Sequence, residues 1–124
     1  MNAGLRIAVV DDEEPIRKAL GRCLRLAHYE VSLFCSGEDF LASLDTQIPD
    51  FLILDINMPG ISGLDVQRRL RSVSIRIPAI CITGAEDEAL SRDALDAGAA
   101  DLLRKPFSSA ALLEAIRFAL RACG

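Results

Sequence analysis

The chain has 124 residues, of which 51% are hydrophobic and 26% are charged, with 14 basic residues against 18 acidic ones. This length predicts one domain, residues 1–124, with a core of its own and no room for a second. The net charge of −4 argues against a nucleic-acid or anionic-membrane surface, because both need clustered positive charge. Apolar runs are short and no signal-peptide pattern opens the chain, so we expect a cytoplasmic protein.

The four cysteines stand alone in the sequence, and His28 is the only histidine. Without a C-x-x-C pair a zinc site is not expected, and we interpret the cysteines as reduced thiols. Cys23 and Cys81 fall in apolar patterns typical of small core residues. Cys123, near the C-terminus, is expected to be exposed. His28 is expected to end the first helix in a structural role rather than to bind a ligand.

Short apolar or β-branched segments alternate with segments of helical periodicity along the whole chain. The predicted strands cover residues 5–10, 30–34, 50–54, 79–83 and, more weakly, 100–104. The predicted helices cover residues 16–27, 37–43, 64–72, 86–97 and 108–122. Gly98 is predicted to end the fourth helix and Ser108 to cap the start of the fifth.

Strands that are apolar on both sides and alternate with helices predict a parallel sheet covered on both faces. With right-handed crossovers, five such β-α units give an α/β fold, a doubly wound three-layer sandwich. Functional sites in these folds lie at the carboxyl ends of the strands.

Polar residues follow the predicted strands at that edge. Asp11 and Asp12 come after the first strand, Asp55 after the third, Thr83 ends the fourth and Lys105 follows the fifth. Clustered acids repel one another unless a cation lies among them, and hard oxygen ligands favour Mg²⁺.

This set of groups could transfer a phosphoryl group to a carboxylate, with Asp55 as nucleophile and Lys105 and Thr83 contacting the phosphoryl oxygens. Taken one at a time, the acids after the first strand could equally be solvated loop residues or helix caps, because Pro15 suits a helix start.

Around these groups, the chain resembles the receiver domain of bacterial two-component response regulators. The resemblance covers nearly its full length. The motifs are Asp11-Asp12, the segment 54–63, Thr83-Gly84 and the segment 98–107. Residues 54–70 are most similar to the FixJ-like transcription-regulator branch. The resemblance implies a flavodoxin-like (βα)5 fold with strand order 2-1-3-4-5.

The resemblance also implies roles for individual residues. Asp55 would be the phosphoacceptor, receiving its phosphoryl group from a sensor histidine kinase. Asp12 and Asp55 would bind Mg²⁺ through side chains and Asn57 through its backbone carbonyl, with Asp11 acting through water. Two further positions complete the implied site, Thr83 as part of the switch and Pro106 as a cis-proline after Lys105.

Leu102 departs from the family pattern, because Tyr or Phe usually stands three residues before the lysine. A leucine cannot perform the usual ring movement that accompanies the shift of Thr83. We therefore expect a smaller rearrangement of the Thr83–Glu86 loop or a shift of the fourth helix, with Leu102 repacking.

The fifth helix is apolar on two sides. One predicted face contains Leu112, Ile116, Leu120 and Cys123, and the other contains Ala111, Ala115, Phe118 and Ala122. The second face packs on a neighbouring helix, is scattered surface hydrophobicity, or binds a partner. Such a partner would be a second copy, through helix 4, strand 5 and helix 5, or a DNA-binding output domain absent from this chain.

Other functions fit the residues less well. A haloacid-dehalogenase-type phosphatase needs an acid two residues after the nucleophile, where this chain has Asn57. A flavodoxin-like cofactor binder is also disfavoured, because the four acids 11–14 in the loop after the first strand would repel the phosphate of FMN. A pseudo-receiver that only binds partners would lack at least one site residue, and none is missing. We therefore expect a phosphoacceptor rather than an enzyme, acting as a switch or as a stand-alone phosphorelay shuttle.

Overall fold

The computed structural model describes residues 4–84 and 88–123 and contains five strands that alternate with five helices. The strands are β1 (Arg6–Val10), β2 (Glu30–Phe34), β3 (Phe51–Asp55), β4 (Ala79–Thr83) and β5 (Asp101–Arg104). The helices are α1 (Glu14–Leu26), α2 (Gly37–Ser43), α3 (Gly63–Ser72), α4 (Glu88–Asp96) and α5 (Ser109–Cys123). All strand pairs are parallel and the sheet order is β2-β1-β3-β4-β5, which confirms the predicted fold.

The sheet separates two apolar layers because successive side chains of a strand point to opposite faces. In β1, Ile7 and Val9 pack towards α1 and α5, whereas Ala8 and Val10 pack towards the layer of α2, α3 and α4. All five residues of β3 are buried, as expected for a central strand covered on both sides.

Local signals place the helix ends close to their predicted positions. The hydroxyl of Ser108 accepts a hydrogen bond from the Ala111 N–H at 3.0 Å. Gly98 has a φ of +106°, the left-handed conformation that glycine adopts at low cost, and it lies two residues after the end of α4. His28 is exposed and lies just after α1 with a φ of +73°. The predicted start of the fourth helix, residue 86, lies outside the described residues.

The inward face of α5 differs from its prediction at two residues, Ala115 and Ala119, which are buried but were not assigned to that face. Ala115 is buried together with Leu112, Ile116 and Ala119, although the sequence pattern grouped it with Phe118. The reason is that a helix packed on a sheet buries a broad stripe, which includes the residue before Ile116. Phe118 itself is 65% exposed within this chain.

The cysteines agree with the prediction as far as the structure describes them. Cys81 is buried, Cys23 is partly buried, Cys35 is exposed, and all three are free thiols. The side chain of Cys123 lies outside the described part of the chain. Among the described residues, the helices are too short or too polar to cross a bilayer.

Candidate functional site

The candidate site lies at the carboxyl edge of the sheet, where β3 ends at Asp55. The chain turns there and re-enters as α3, whose first residue is Gly63. A Cβ atom at Gly63 would lie 2.7 Å from the Asp55 carbonyl oxygen and 2.8 Å from the Ile56 Cα. Only glycine permits this approach, so Gly63 lets α3 pack directly against the end of β3.

A capping box fixes the start of α3 beside the site. The Ser62 hydroxyl accepts a hydrogen bond from the Asp65 N–H, and the Asp65 carboxylate accepts one from the Ser62 N–H. These reciprocal bonds satisfy two backbone donors that the helix itself leaves unpaired. They also hold the pKa of Asp65 below its usual value.

Asp55 is 1% exposed and points into the carboxyl edge. Its Oδ1 accepts a hydrogen bond from the Asn57 N–H at 2.9 Å, and its Oδ2 lies 3.4 Å from the Lys105 Nζ. Burial raises the pKa of Asp55 to about 6, against the lowering effects of the Asn57 N–H and Lys105. Asp11 adds to the rise because it is a nearby like charge.

Lys105 lies among three carboxylates. Its Nζ is 3.4 Å from an Asp11 oxygen, 3.2 Å from a Glu13 oxygen and 3.4 Å from an Asp55 oxygen. Burial by itself lowers the pKa of Lys105, but the carboxylates outweigh it and hold the pKa above the usual value. The Lys105–Pro106 peptide bond is cis, as the family resemblance implied.

Asp11 has a buried oxygen that is incompletely satisfied. Its Oδ1 accepts the Glu13 N–H at 2.9 Å. Its Oδ2 lies within ion-pair distance of Lys105 but accepts no hydrogen bond from the described residues. Carboxylate oxygens of Asp11, Asp12, Glu13 and Asp55 all lie within 4.8 Å of one another. A buried, under-satisfied oxygen in such a group is the environment that a hard divalent cation fits.

Thr83 is buried at the end of β4, and its hydroxyl donates a hydrogen bond to the Asn57 Oδ1 at 2.8 Å. The two residues are 26 positions apart. This bond joins the loop after β3 to the strand that precedes α4. Leu102 is paired with Cys81 across β4 and β5 and packs into the layer of α2, α3 and α4.

The structure therefore brings together Asp11, Asp12, Asp55, Thr83 and Lys105, the set predicted from the strand ends. Two contributions were not predicted. Glu13 reaches Lys105 although it stands at the start of α1, where it makes no side-chain cap. The Asn57 side chain contacts Thr83, whereas only its backbone carbonyl was expected to act. The acidic run 11–14 was the only signal in the sequence for the contact between Glu13 and Lys105.

A doubly wound domain with clustered carboxylates and a lysine at the carboxyl edge is typical of receiver-type α/β proteins. Comparison with protein families agrees, since the response regulator receiver domain model matches residues 7–117. The chain belongs to the response regulator receiver domain family.

Named relatives show the same family. The chain is 39% identical over 110 residues to the transcriptional regulatory protein FixJ of Rhizobium meliloti, covering 89% of this chain and 54% of FixJ. It is 40% identical over 115 residues to the response regulator protein TodT of Pseudomonas putida, covering 93% of this chain and 51% of TodT. This chain thus spans about half the length of these curated relatives.

Solved structures agree with the observed fold. The crystal structure of FixJ-N superposes with a TM-score of 0.86 at 38% sequence identity, covering 93% of this chain and 92% of that one.

Proposed function

We propose that this receiver domain accepts a phosphoryl group on Asp55 in a Mg²⁺-dependent reaction, with a phosphohistidine of a sensor histidine kinase as donor. The observation that carries the proposal is the buried Asp55 carboxylate, held 3.4 Å from Lys105 among other acids. At pH 7 a carboxyl group with a pKa of about 6 is mostly ionised and can act as a nucleophile.

Each residue of the site would have a defined task. An Asp55 oxygen forms a bond to phosphorus while the donor's P–N bond breaks, and the imidazole nitrogen retains the electron pair. Lys105 pairs with the negative charge of the phosphoryl oxygens, and the Thr83 hydroxyl exchanges Asn57 for one of them. The Asn57 N–H keeps the carboxylate oriented through the transfer.

The acidic group would hold the metal. Side chains of Asp12 and Asp55, the Asn57 backbone carbonyl and, through water, Asp11 would hold Mg²⁺ in the arrangement that the family resemblance implies. A bound Mg²⁺ would neutralise charge that builds up on the phosphoryl oxygens. The buried Asp11 Oδ2, which accepts no hydrogen bond from residues 4–84 or 88–123, supports a cation at this place.

Intact-mass spectrometry tests the chemistry directly. We expect one added phosphoryl group after incubation with acetyl phosphate and Mg²⁺, and none with EDTA or in Asp55→Asn. Asp50→Asn is the matched control, because Asp50 lies at the opposite end of β3 and accepts the Arg6 N–H. Phosphoramidate, which also carries a P–N bond, tests whether a nitrogen-bound donor is used.

Two results would contradict the proposal. An adduct that persists in Asp55→Asn would place the phosphoryl group elsewhere. No adduct from either donor, together with no binding of beryllofluoride, would make the domain a pseudo-receiver that acts only as an interaction module.

We further propose that phosphorylation changes dimerisation or contacts with a DNA-binding output domain of a longer cytoplasmic protein. The exposed Phe118 on α5 supports a surface of this kind, formed by α4, β5 and α5. Light scattering with beryllofluoride should show a dimer, and Phe118→Ser should abolish it without preventing the mass increase at Asp55. A monomer under all conditions would contradict the dimer.

A further inference from the structure

The C-terminal end of α4 is bonded to α3 by two side chains. At the C-terminal end, the Ala94 carbonyl accepts the Ala99 N–H at 3.1 Å, which closes the helix around Gly98. The same carbonyl also accepts the side-chain amide of Gln67 at 3.4 Å. One turn further along α3, the Arg71 guanidinium donates to the Ala97 carbonyl at 3.1 Å. Both α3 side chains thus bind carbonyls that a helix end leaves under-satisfied.

Gln67 also connects this end of α4 to the sheet. It is only 7% exposed, and its Oε1 accepts a hydrogen bond from the Cys81 thiol at 3.6 Å. Burial raises the pKa of Cys81 to about 12, so the thiol keeps its proton and acts as a donor. These partners fix the orientation of the Gln67 amide. Its NH₂ group faces the Ala94 carbonyl, which can only accept, and its oxygen faces the Cys81 thiol, which donates.

Cys81 lies two residues before Thr83 on β4, so both side chains point to the same face of the sheet. Thr83 belongs to the candidate site, and the chain continues from it into α4. The start of α4 is therefore connected to the site through the backbone, while its end is bonded to α3 and, through Gln67, to β4.

The middle of α4 is held differently. Ser91 is 6% exposed, and its hydroxyl has no hydrogen-bond partner in the part of the chain that the structure describes. A buried hydroxyl without a partner is unfavourable, and native proteins rarely retain one without a reason. A displacement of this part of the helix that gave the hydroxyl a partner would therefore be favoured.

We propose that Gln67 and Arg71 clamp the C-terminal end of α4, so that a change at the site moves the N-terminal half of the helix about this fixed end. The trigger of the movement rests on the proposed phosphorylation of Asp55, whereas the clamp exists in the resting chain. Because Ala94 and Ala97 would stay fixed, a local change at Thr83 would become a movement of the N-terminal half of α4. This route does not need the aromatic residue that the family usually has at position 102.

Amide hydrogen exchange, resolved by residue in NMR spectra of the full chain, tests the clamp without phosphorylation. Helix ends ordinarily fray, but we expect the amides of residues 97–99 to be better protected than those of 92–93. Gln67→Leu, which keeps the volume and removes both hydrogen bonds, should lower the protection of 97–99 about five- to tenfold. Arg71→Met should lower it in the same direction.

Matched variants separate the clamp from general destabilisation. Arg69→Met removes an exposed arginine on the α2 side of α3, beside Leu41, and should leave α4 exchange unchanged. Ser91→Ala should increase α4 protection about fivefold or more, because it removes the buried hydroxyl that lacks a partner among the described residues. Equal protection of 92–93 and 97–99, or exchange unaffected by Gln67→Leu, would overturn the clamp.

Beryllofluoride with Mg²⁺ tests the movement. We expect chemical-shift changes concentrated at residues 88–93 and small at 97–99, and their spread to 97–99 in Gln67→Leu/Arg71→Met. Changes of equal size along the wild-type helix would overturn a fixed end. If beryllofluoride does not bind and neither phosphodonor gives an adduct, the proposed function fails and the movement with it, whereas resting-state exchange still decides whether the clamp exists.

Discussion

Asp55→Asn should stabilise the metal-free protein at pH 7, although it removes the proposed phosphoacceptor. Burial raises the pKa of Asp55 from 3.8 to about 6, which means that the folded chain holds the proton more tightly than the unfolded chain does. The tighter proton binding stabilises the folded chain fully below pH 4, and this stabilisation is lost as the pH rises through 6.

The magnitude follows from the size of this rise. A pKa raised by about two corresponds to about 3 kcal/mol between the protonated and ionised forms in the folded state. Asparagine has the shape of the protonated form and no charge, so we expect the free energy of unfolding at pH 7 to increase by about 2–3 kcal/mol. The midpoint of thermal unfolding should rise by about 10 °C.

Urea unfolding in EDTA, followed by far-ultraviolet circular dichroism, measures this effect. Circular dichroism is the suitable probe because the chain has no tryptophan and one tyrosine. The gain of Asp55→Asn over wild type should shrink as the pH falls and disappear near pH 4. Mg²⁺ should stabilise the wild type more than the variant, since the variant lacks one of the proposed ligands.

A control of opposite sign is available on the same edge of the sheet. The pKa of Asp65 is lowered by its hydrogen bonds to Ser62, so Asp65→Asn should lower the free energy of unfolding at pH 7 rather than raise it. The reasoning is refuted if Asp55→Asn is no more stable than wild type at pH 7, or if its gain is unchanged at pH 4.

Three further substitutions test individual contacts of the site. Lys105→Met leaves buried carboxylates without their cation. It should lower the free energy of unfolding at pH 7 by about 2–3 kcal/mol in urea titrations. A loss of stability that Mg²⁺ does not reduce would contradict a metal in this place. Gly63→Ala forces a Cβ against the Asp55 carbonyl and should cost about 2 kcal/mol, whereas Gly84→Ala, whose Cβ would lie 3.7 Å from Lys105, should be tolerated in the same titrations. Leu102→Tyr should leave the mass increase at Asp55 intact and alter the response of α4 to beryllofluoride in NMR spectra; an identical response would show that position 102 takes no part.

Most of the fold was predictable because its signals are local. The apolar runs of β1 and β3 and the helical periodicity of α5 each lie within a few residues of sequence. Predicted and observed strands agree to within one residue at each end. Right-handed crossovers then bring the ends of parallel strands to one edge, which is why Asp11, Asp55 and Lys105 could be grouped from their order in the chain.

The sequence by itself therefore determined the elements, the layers and the acidic edge with its lysine. Only the tertiary structure decided which side chains contact one another there: Glu13 reaches Lys105 across 92 positions, and Asn57 meets Thr83 across 26. It also decided how deeply Asp55 is buried, and hence its raised pKa, and it placed Gln67 between Cys81 and α4. Such contacts depend on rotamers and on the packing of whole elements against one another, because residues far apart in the chain carry no periodic signal that relates them.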